Sequence, residues 1–122
     1  MKEFKLIIAG GRDFTDAQMM REHLDQLAHG GPLNDFAVSI VSGMARGADM
    51  LGFQFAREYS VKVYQFPADW RQHGKAAGMI RNKQMGDFAD GLLAFWDGES
   101  RGTKQMIEYM QSLGKPTYIV RY

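Results

Sequence analysis

Three glycine-bearing turns are the parts of this sequence whose residue types could bind an anion. They are residues 10–13 (GGRD), 42–47 (SGMARG) and 98–103 (GESRGT), named the first, second and third turn. Each follows an apolar, strand-like run, precedes a helix-like one and carries an arginine. Glycine lets the backbone approach a ligand closely, and the following helix presents unpaired N–H groups and a partial positive charge. The pattern is typical of phosphate sites in parallel α/β proteins.

Side chains in and near these turns add groups that hold phosphate or ribose oxygens. Ser42 and Thr103 supply hydroxyls, and arginines 12, 46, 81 and 101 could make charge-assisted contacts. Trp70 could stack on a base. Each turn taken alone could equally be an ordinary connection, and some of the arginines could be solvated. The candidate ligand-binding residues are Gly10, Gly11, Arg12, Asp13, Ser42, Gly43, Arg46, Gly47, Asp69, Trp70, Arg81, Asn82, Gly98, Gly102 and Thr103.

Several carboxylates lie at or near predicted strand ends, but the sequence alone places no pair of them together. They are Asp13, Asp49, Asp69, Asp97 and Glu99. Asp49 could equally be an ordinary charge in the first turn of a helix. No dinucleotide fingerprint G-x-G-x-x-G and no P-loop occurs, and no acidic residue ends the second strand. Catalytic residues therefore stay unassigned, and no cofactor is expected.

Composition indicates an ordinary globular chain. Of its 122 residues, 45% are hydrophobic and 24% are charged, so disorder and a fibrous chain are disfavoured. There is no cysteine, which excludes disulfides and thiolate chemistry, and three scattered histidines suggest no metal site. No apolar run is long enough for a membrane span, and the start lacks the pattern of a secretory signal. We expect a cytoplasmic protein with no membrane partner.

The charge distribution favours a small anionic ligand. The net charge is only +1, yet between Pro67 and Gly86 there are four basic residues and a single acidic one. A long nucleic acid usually requires a broad basic face. This argues against a nucleic acid as partner.

Alternating strand-like and helix-like segments must position the three turns. Strands are predicted at 5–9, 37–42, 61–66, 91–96 and 117–120, and helices at about 16–28, 48–59, 73–88 and 103–113. This alternation predicts one domain over residues 1–122, an α/β Rossmann-like three-layer sandwich with a five-stranded parallel sheet in the order 3-2-1-4-5. In that order the first and third turns flank one crevice and the second turn forms its side.

Five segments together resemble a known family, the YspA/cpYpsA-related branch of the SLOG superfamily. The resemblance covers nearly the whole chain in the right order. The segments are GGRDF (10–14), SGMARGAD (42–49), PADW (67–70), GKAAGMIRNKQM (74–85) and Gly102-Thr103. It implies a Rossmann-like domain that binds a nucleotide or a nucleotide-derived ligand.

Two groups of relatives suggest alternatives. Lonely-guy phosphoribohydrolases are similar in the Arg81-x-x-x-Met85 segment and in the glycine-threonine turn, but they carry a glutamate where this chain has Met106. Methionine cannot stabilise a cationic sugar transition state or handle protons. DprA-type proteins, which load single-stranded DNA, are similar in the SGMARG turn and in the pair Arg81-Asn82.

We therefore predict a protein that binds a nucleotide-like small molecule, as a sensor or a sequestering protein. By analogy, such a protein would serve nucleotide signalling or a phage or bacterial conflict. One alternative is hydrolysis of a nucleotide N-glycosidic or phosphate bond with Asp13, Asp97 or Glu99. The other is binding of single-stranded DNA. We also expect homo-oligomers, dimers or higher, because relatives commonly pair and the helices are rich in methionine.

Overall fold

The centre of the molecule is a sheet of five parallel strands. They are β1 (Lys2–Gly10), β2 (Phe36–Ser42), β3 (Val63–Gln65), β4 (Gly91–Trp96) and β5 (Thr117–Arg121). Hydrogen bonds join them in the order β3-β2-β1-β4-β5, which confirms the predicted Rossmann-like α/β fold. The structure is a computed structural model and describes residues 1–122.

Helices cover both faces of this sheet. They are α1 (Ala17–Ala28), α2 (Ala48–Glu58), the short α3 (Trp70–His73), α4 (Ala77–Phe88) and α5 (Arg101–Ser112), with a 3₁₀ turn at Gly74–Ala76 between α3 and α4. None of them is long and apolar enough to cross a bilayer.

The apolar core has two halves because side chains alternate along the central strand. Leu6 and Ile8 of β1 face the half that includes α1 and α2, whereas Ile7 and Ala9 face the half that includes α4 and α5. Leu6, Ile7 and Ile8 are completely buried. Each such side chain contributes roughly 1.5–3 kcal/mol through burial, so β1 anchors both layers.

The chain reverses direction in the sheet between β1 and β4. Because these two strands are paired and parallel, with Gly10 opposite Phe95, the turns that follow them lie side by side at the carboxyl edge. The second turn follows β2, the neighbour of β1 on the other side. This is the arrangement that the strand order predicts.

The first strand begins at Lys2, three residues earlier than predicted, and two further segments differ from the sequence-based expectation. The helix expected at 73–88 is divided, because Asp69 caps α3 by accepting a hydrogen bond from the Gln72 N–H at 3.0 Å and Gly74 then turns the chain with φ of +55°. The third strand is shorter than 61–66. The Val61 N–H donates to the Ala56 carbonyl, so that residue still belongs to the turn ending α2.

Gly47 joins the first turn to the second. It precedes α2 with φ of +90° and ψ of −133°, and a Cβ at this position would lie 2.2 Å from the Gly11 carbonyl oxygen. That same carbonyl accepts a hydrogen bond from the Ala48 N–H at 3.3 Å, because α2 has no side chain that caps its N-terminus. The close approach of the two turns therefore requires glycine.

We expect Gly47→Ala to lower the free energy of unfolding by about 3 kcal/mol or more, since it combines an unfavourable φ with a backbone clash. Urea unfolding followed by circular dichroism measures the change. Gly114→Ala is the matched control, because Gly114 has φ of +69° but no atom within 4 Å of its Cβ position, and should cost only about 1 kcal/mol. Equal losses in both variants would contradict the packing explanation.

Candidate functional site

A polar cavity of about 480 Å³ lies at the carboxyl edge of the sheet. The first, second and third turns and α4 all contribute to its wall, so the turns converge as the strand order predicts. Its size is in the range of small-molecule sites. The lining residues are Ala9, Gly10, Arg12, Ala45, Asp49, Gly78, Met79, Arg81, Asn82, Ser100, Arg101, Gly102, Thr103, Gln105 and Met106.

A second, smaller cavity of about 280 Å³ adjoins the first. The two share Arg12, Ala45 and Arg81, which form the boundary between them. The smaller cavity also has Gly43 and Arg46 from the second turn and the half-exposed indole of Trp70 in its wall. An aromatic face beside guanidinium groups suits a planar base.

Hydrogen bonds within and next to the third turn hold and cap the N-terminus of α5. The Asp97 carboxylate accepts hydrogen bonds from the N–H groups of Glu99 and Ser100, both at 2.8 Å, and these bonds lower the pKa of Asp97. Ser100 caps the helix through its hydroxyl, 3.4 Å from the Thr103 nitrogen. The N–H groups of Arg101 and Gly102 have no acceptor in the protein. Free N–H groups at a helix N-terminus favour an anion.

Arg81 is the buried cation of the site. It is only 9% exposed, and its Nη1 donates to the Gly43 carbonyl while its Nε donates to the Asn82 Oδ1 at 2.9 Å. Asn82 in turn donates to the Gln105 Oε1 at 2.7 Å, which ties α4 to α5. Since a guanidinium has five N–H donors, Arg81 keeps donors for a ligand in either cavity.

Asp49 is the buried anion of the site. It is 5% exposed, lines the larger cavity and approaches no Arg or Lys nitrogen within 4.0 Å. Burial raises the pKa of its carboxyl to about 6, and the charge of Arg81 and the nearby N–H groups of Ala45 and Gly10 offset only part of that rise. The sequence alone does not distinguish a site residue from an ordinary first-turn helix charge at this position.

The arginines of the site are not neutralised by carboxylates. The one close contact between a basic and an acidic side chain joins His29 to Asp25 at the C-terminal end of α1, and it involves no arginine. Burial lowers the pKa of the Arg81 guanidinium; Asp49 opposes that effect, whereas the like charge of Arg12 adds to it. Two guanidinium groups that repel each other across a cavity would be stabilised by an anion between them.

Of the candidate residues predicted from sequence, nine line the two cavities. Six of them line the larger one, and Gly43, Arg46 and Trp70 line the smaller one. The other six candidates lie outside both walls and act in the supporting structure. They are Gly11, Asp13, Ser42, Gly47, Asp69 and Gly98.

Two of these six show what the supporting structure does. The Ser42 hydroxyl donates to the Asp49 carbonyl at 2.8 Å and accepts from the Met44 N–H at 3.1 Å, which holds Met44 at a positive φ of 63°. Asp13 accepts a hydrogen bond from the Tyr122 hydroxyl at 2.6 Å. Both side chains therefore have protein partners that fix the turns.

Sequence reasoning did not select several lining residues. Met79 and Gln105 enter the wall because α4 and α5 pack against each other, a contact that no local pattern shows. Ser100 could have been found, because a serine three residues before Thr103 is typical of a helix N-cap.

The largest cavity of the molecule, about 580 Å³, lies elsewhere. It is a groove between α1 and α2, and apolar side chains such as Leu24, Val38 and Phe55 form most of its wall. It contains none of the three turns. The chemistry indicated by the sequence therefore belongs to the smaller, polar cavities.

Comparisons with known proteins agree with the fold and motifs. Residues 4–73 match the model of the family described as YspA, cpYpsA-related SLOG family. The Gene 61 protein of Mycobacterium phage D29 is 33% identical in an alignment of 118 positions that covers 92% of each chain. The resemblance seen in the motifs is thereby confirmed.

A solved structure of DNA processing protein A from Helicobacter pylori has the same fold, with a TM-score of 0.63 and 19% identity. The similarity covers 98% of this chain and 66% of that one, and the work on that protein describes its binding of single-stranded DNA. Our expectation that a nucleic acid is an unlikely partner was therefore wrong. The net charge is a sum over the whole chain, so it does not show that exposed basic residues are concentrated at one edge of the sheet. These residues are Arg12, Arg46 and Arg101.

The raised pKa of Asp49 predicts how stability depends on pH. In the folded protein the pKa is about 6 and in the unfolded chain about 3.9, so the folded state binds more protons between these values. The stability that the neutral carboxyl contributes is complete below pH 4 and is lost as the pH rises through 6. At pH 7 the ionised carboxylate lowers the free energy of unfolding by about 3 kcal/mol.

Asp49→Asn should therefore raise the free energy of unfolding at pH 7 by about that amount and change it little at pH 4. Urea unfolding of both proteins at the two pH values measures this. Glu108→Gln, which removes the same charge from an exposed position on α5, should show no such difference. An equal change in the free energy of unfolding at both pH values would disprove the claim that ionisation of buried Asp49 destabilises the protein.

Proposed function

The chain belongs to the YspA, cpYpsA-related SLOG family, and from that premise we propose that it binds a nucleotide or nucleotide-derived small molecule at the carboxyl edge of its sheet. The phosphates would lie between Arg12, Arg81 and the N-terminus of α5. The adjoining cavity at Trp70 would take the base. In this role the protein is a sensor or a sequestering protein.

The observation that carries the proposal is a set of unsatisfied cationic and N–H groups around one cavity. Arg12 and Arg81 face each other without a carboxylate partner within 4.0 Å. Arg101 and Gly102, whose N–H groups have no acceptor in the protein, line the same cavity. A phosphate would accept hydrogen bonds from all of these groups and offset their mutual repulsion.

Binding is favoured over hydrolysis because the carboxylates suggested for catalysis are held elsewhere. Asp13 and Asp97 bond to groups of the protein and line neither cavity, and neither does Glu99. Met106 lines the larger cavity where the hydrolases carry their glutamate, and it offers no proton-transfer group.

The proposal predicts that cavity arginines control affinity. Isothermal titration calorimetry with AMP, ADP and ADP-ribose should show saturable binding by the wild-type protein, and Arg12→Ala or Arg81→Ala should weaken it about tenfold to a hundredfold. Arg12 is exposed and makes no hydrogen bond, so its removal does not endanger the fold.

Arg71→Ala is the matched control, because Arg71 is exposed and lies outside both cavities. Its affinity should equal that of the wild-type protein. The absence of binding by every nucleotide tested would overturn the proposal. Equal losses in Arg12→Ala and Arg71→Ala would show a diffuse charge effect and no defined site.

A second candidate function, binding of single-stranded DNA, is supported by the similarity to DNA processing protein A. Arg46 and Trp70 at the mouth of the smaller cavity could contact a phosphate and stack on a base. Fluorescence anisotropy with a labelled oligothymidylate should then show affinity that falls steeply with salt and is reduced in Arg46→Ala. No change in anisotropy at low salt would eliminate this function.

A further inference from the structure

The Asp49 carboxylate is the one acidic group in the wall of the larger cavity, and the proposed function leaves it without a role. It is nine-tenths buried and lines the larger cavity. Its oxygens interact with the backbone N–H groups of Ala45 and Gly10 and accept no hydrogen bond from any side chain of the protein. A carboxylate can accept about four hydrogen bonds, so one that lines a cavity keeps acceptor sites for a donor that enters it.

Within the fold this carboxylate interacts with nearby backbone N–H groups and, at a longer distance, with the charge of Arg81. It is the second residue of α2, whose N-terminus is instead completed by the Gly11 carbonyl and by Gly47. A first-turn carboxylate on the surface would interact with the helix dipole equally well without the cost of burial. The nearest cation, Arg81, directs its Nη1 to the Gly43 carbonyl and not to Asp49.

The charged groups of Arg81 and Asp49 both lie next to the backbone of Gly43. A Cβ at Gly43 would lie 2.6 Å from Arg81 Nη1 and 2.7 Å from Asp49 Oδ2. The cleft therefore presents a cationic donor and an anionic acceptor to the same occupant. A ligand that satisfies both must carry a negative group and, a short distance away, a hydrogen-bond donor.

We propose that Asp49 accepts a hydrogen bond from a ribose hydroxyl of the ligand, and that the cleft thereby selects sugar phosphates with a free hydroxyl over their deoxy analogues. This inference rests on the proposed nucleotide binding and assigns a specificity-determining residue to that site. An ionised carboxylate has only acceptor oxygens, so it repels the phosphate and accepts from the hydroxyl. The phosphate then lies toward Arg12 and α5, and the sugar toward Asp49.

The test is calorimetry at pH 7.5 in the presence of EDTA, with AMP and ADP and with their 2′-deoxy and 3′-deoxy analogues. The wild-type protein should bind at least one deoxy analogue about tenfold to a hundredfold more weakly than the parent nucleotide. Asp49→Ala should bind the parent nucleotide more weakly by a similar factor, and its affinities for the parent nucleotide and that analogue should be equal. Arg12→Ala should weaken binding of both by the same factor.

The outcomes separate the two proposals. If no nucleotide binds, both fall. A second outcome is that nucleotides bind and Arg12→Ala weakens their binding, while the deoxy analogues bind equally well and Asp49→Ala has no effect. This result would disprove the role of Asp49 and leave the proposed function intact. Binding that requires Mg²⁺ and disappears in EDTA would show that Asp49 holds a cation and would also overturn the hydroxyl contact. Should Asp49→Ala not fold, Asp49→Asn keeps the shape and must still reduce the discrimination severalfold.

Discussion

The organisation of this edge of the sheet depends on the burial of one guanidinium group, that of Arg81. A buried cation is tolerated only where hydrogen bonds and opposite charge replace its hydration. Here the Gly43 carbonyl and the Asn82 side chain supply the hydrogen bonds, and Asp49 supplies the charge at a longer distance. Because one partner lies after β2 and the others lie on α4 and α2, satisfying the guanidinium fixes the positions of these elements together.

The compensation is incomplete, and this is what makes the edge suited to a ligand. Arg12 adds a second positive charge, α5 adds free N–H groups, and Asp49 stays ionised at neutral pH although burial disfavours it. The two buried charged groups, Arg81 and Asp49, are less stable here than they would be on the surface. An anionic ligand with a hydrogen-bond donor offsets these costs. The same groups therefore lower the free energy of unfolding of the free protein and raise its affinity for the ligand.

Much of the fold follows from local patterns, because alternation of apolar strands with amphipathic helices leaves few parallel topologies. The convergence of the three turns was predictable for the same reason, since parallel strands end at one edge. Individual roles were less predictable. A glycine that faces a ligand, such as Gly10, and a glycine that only lets two turns meet, such as Gly47, look alike in sequence. Asp49 could not be assigned either, because its burial depends on how α4 packs across the sheet.

The central claim is that an anion binds between Arg81 and the N-terminus of α5. Two-dimensional ¹⁵N–¹H NMR of the protein titrated with ADP tests it most directly, through the backbone N–H groups of Arg101 and Gly102 and the Nε–H of Arg81. Our account predicts saturable shifts of these three signals, with those of Leu24 and Phe55 in the groove between α1 and α2 unchanged. Shifts confined to that groove, or none at any concentration of ADP, would contradict it.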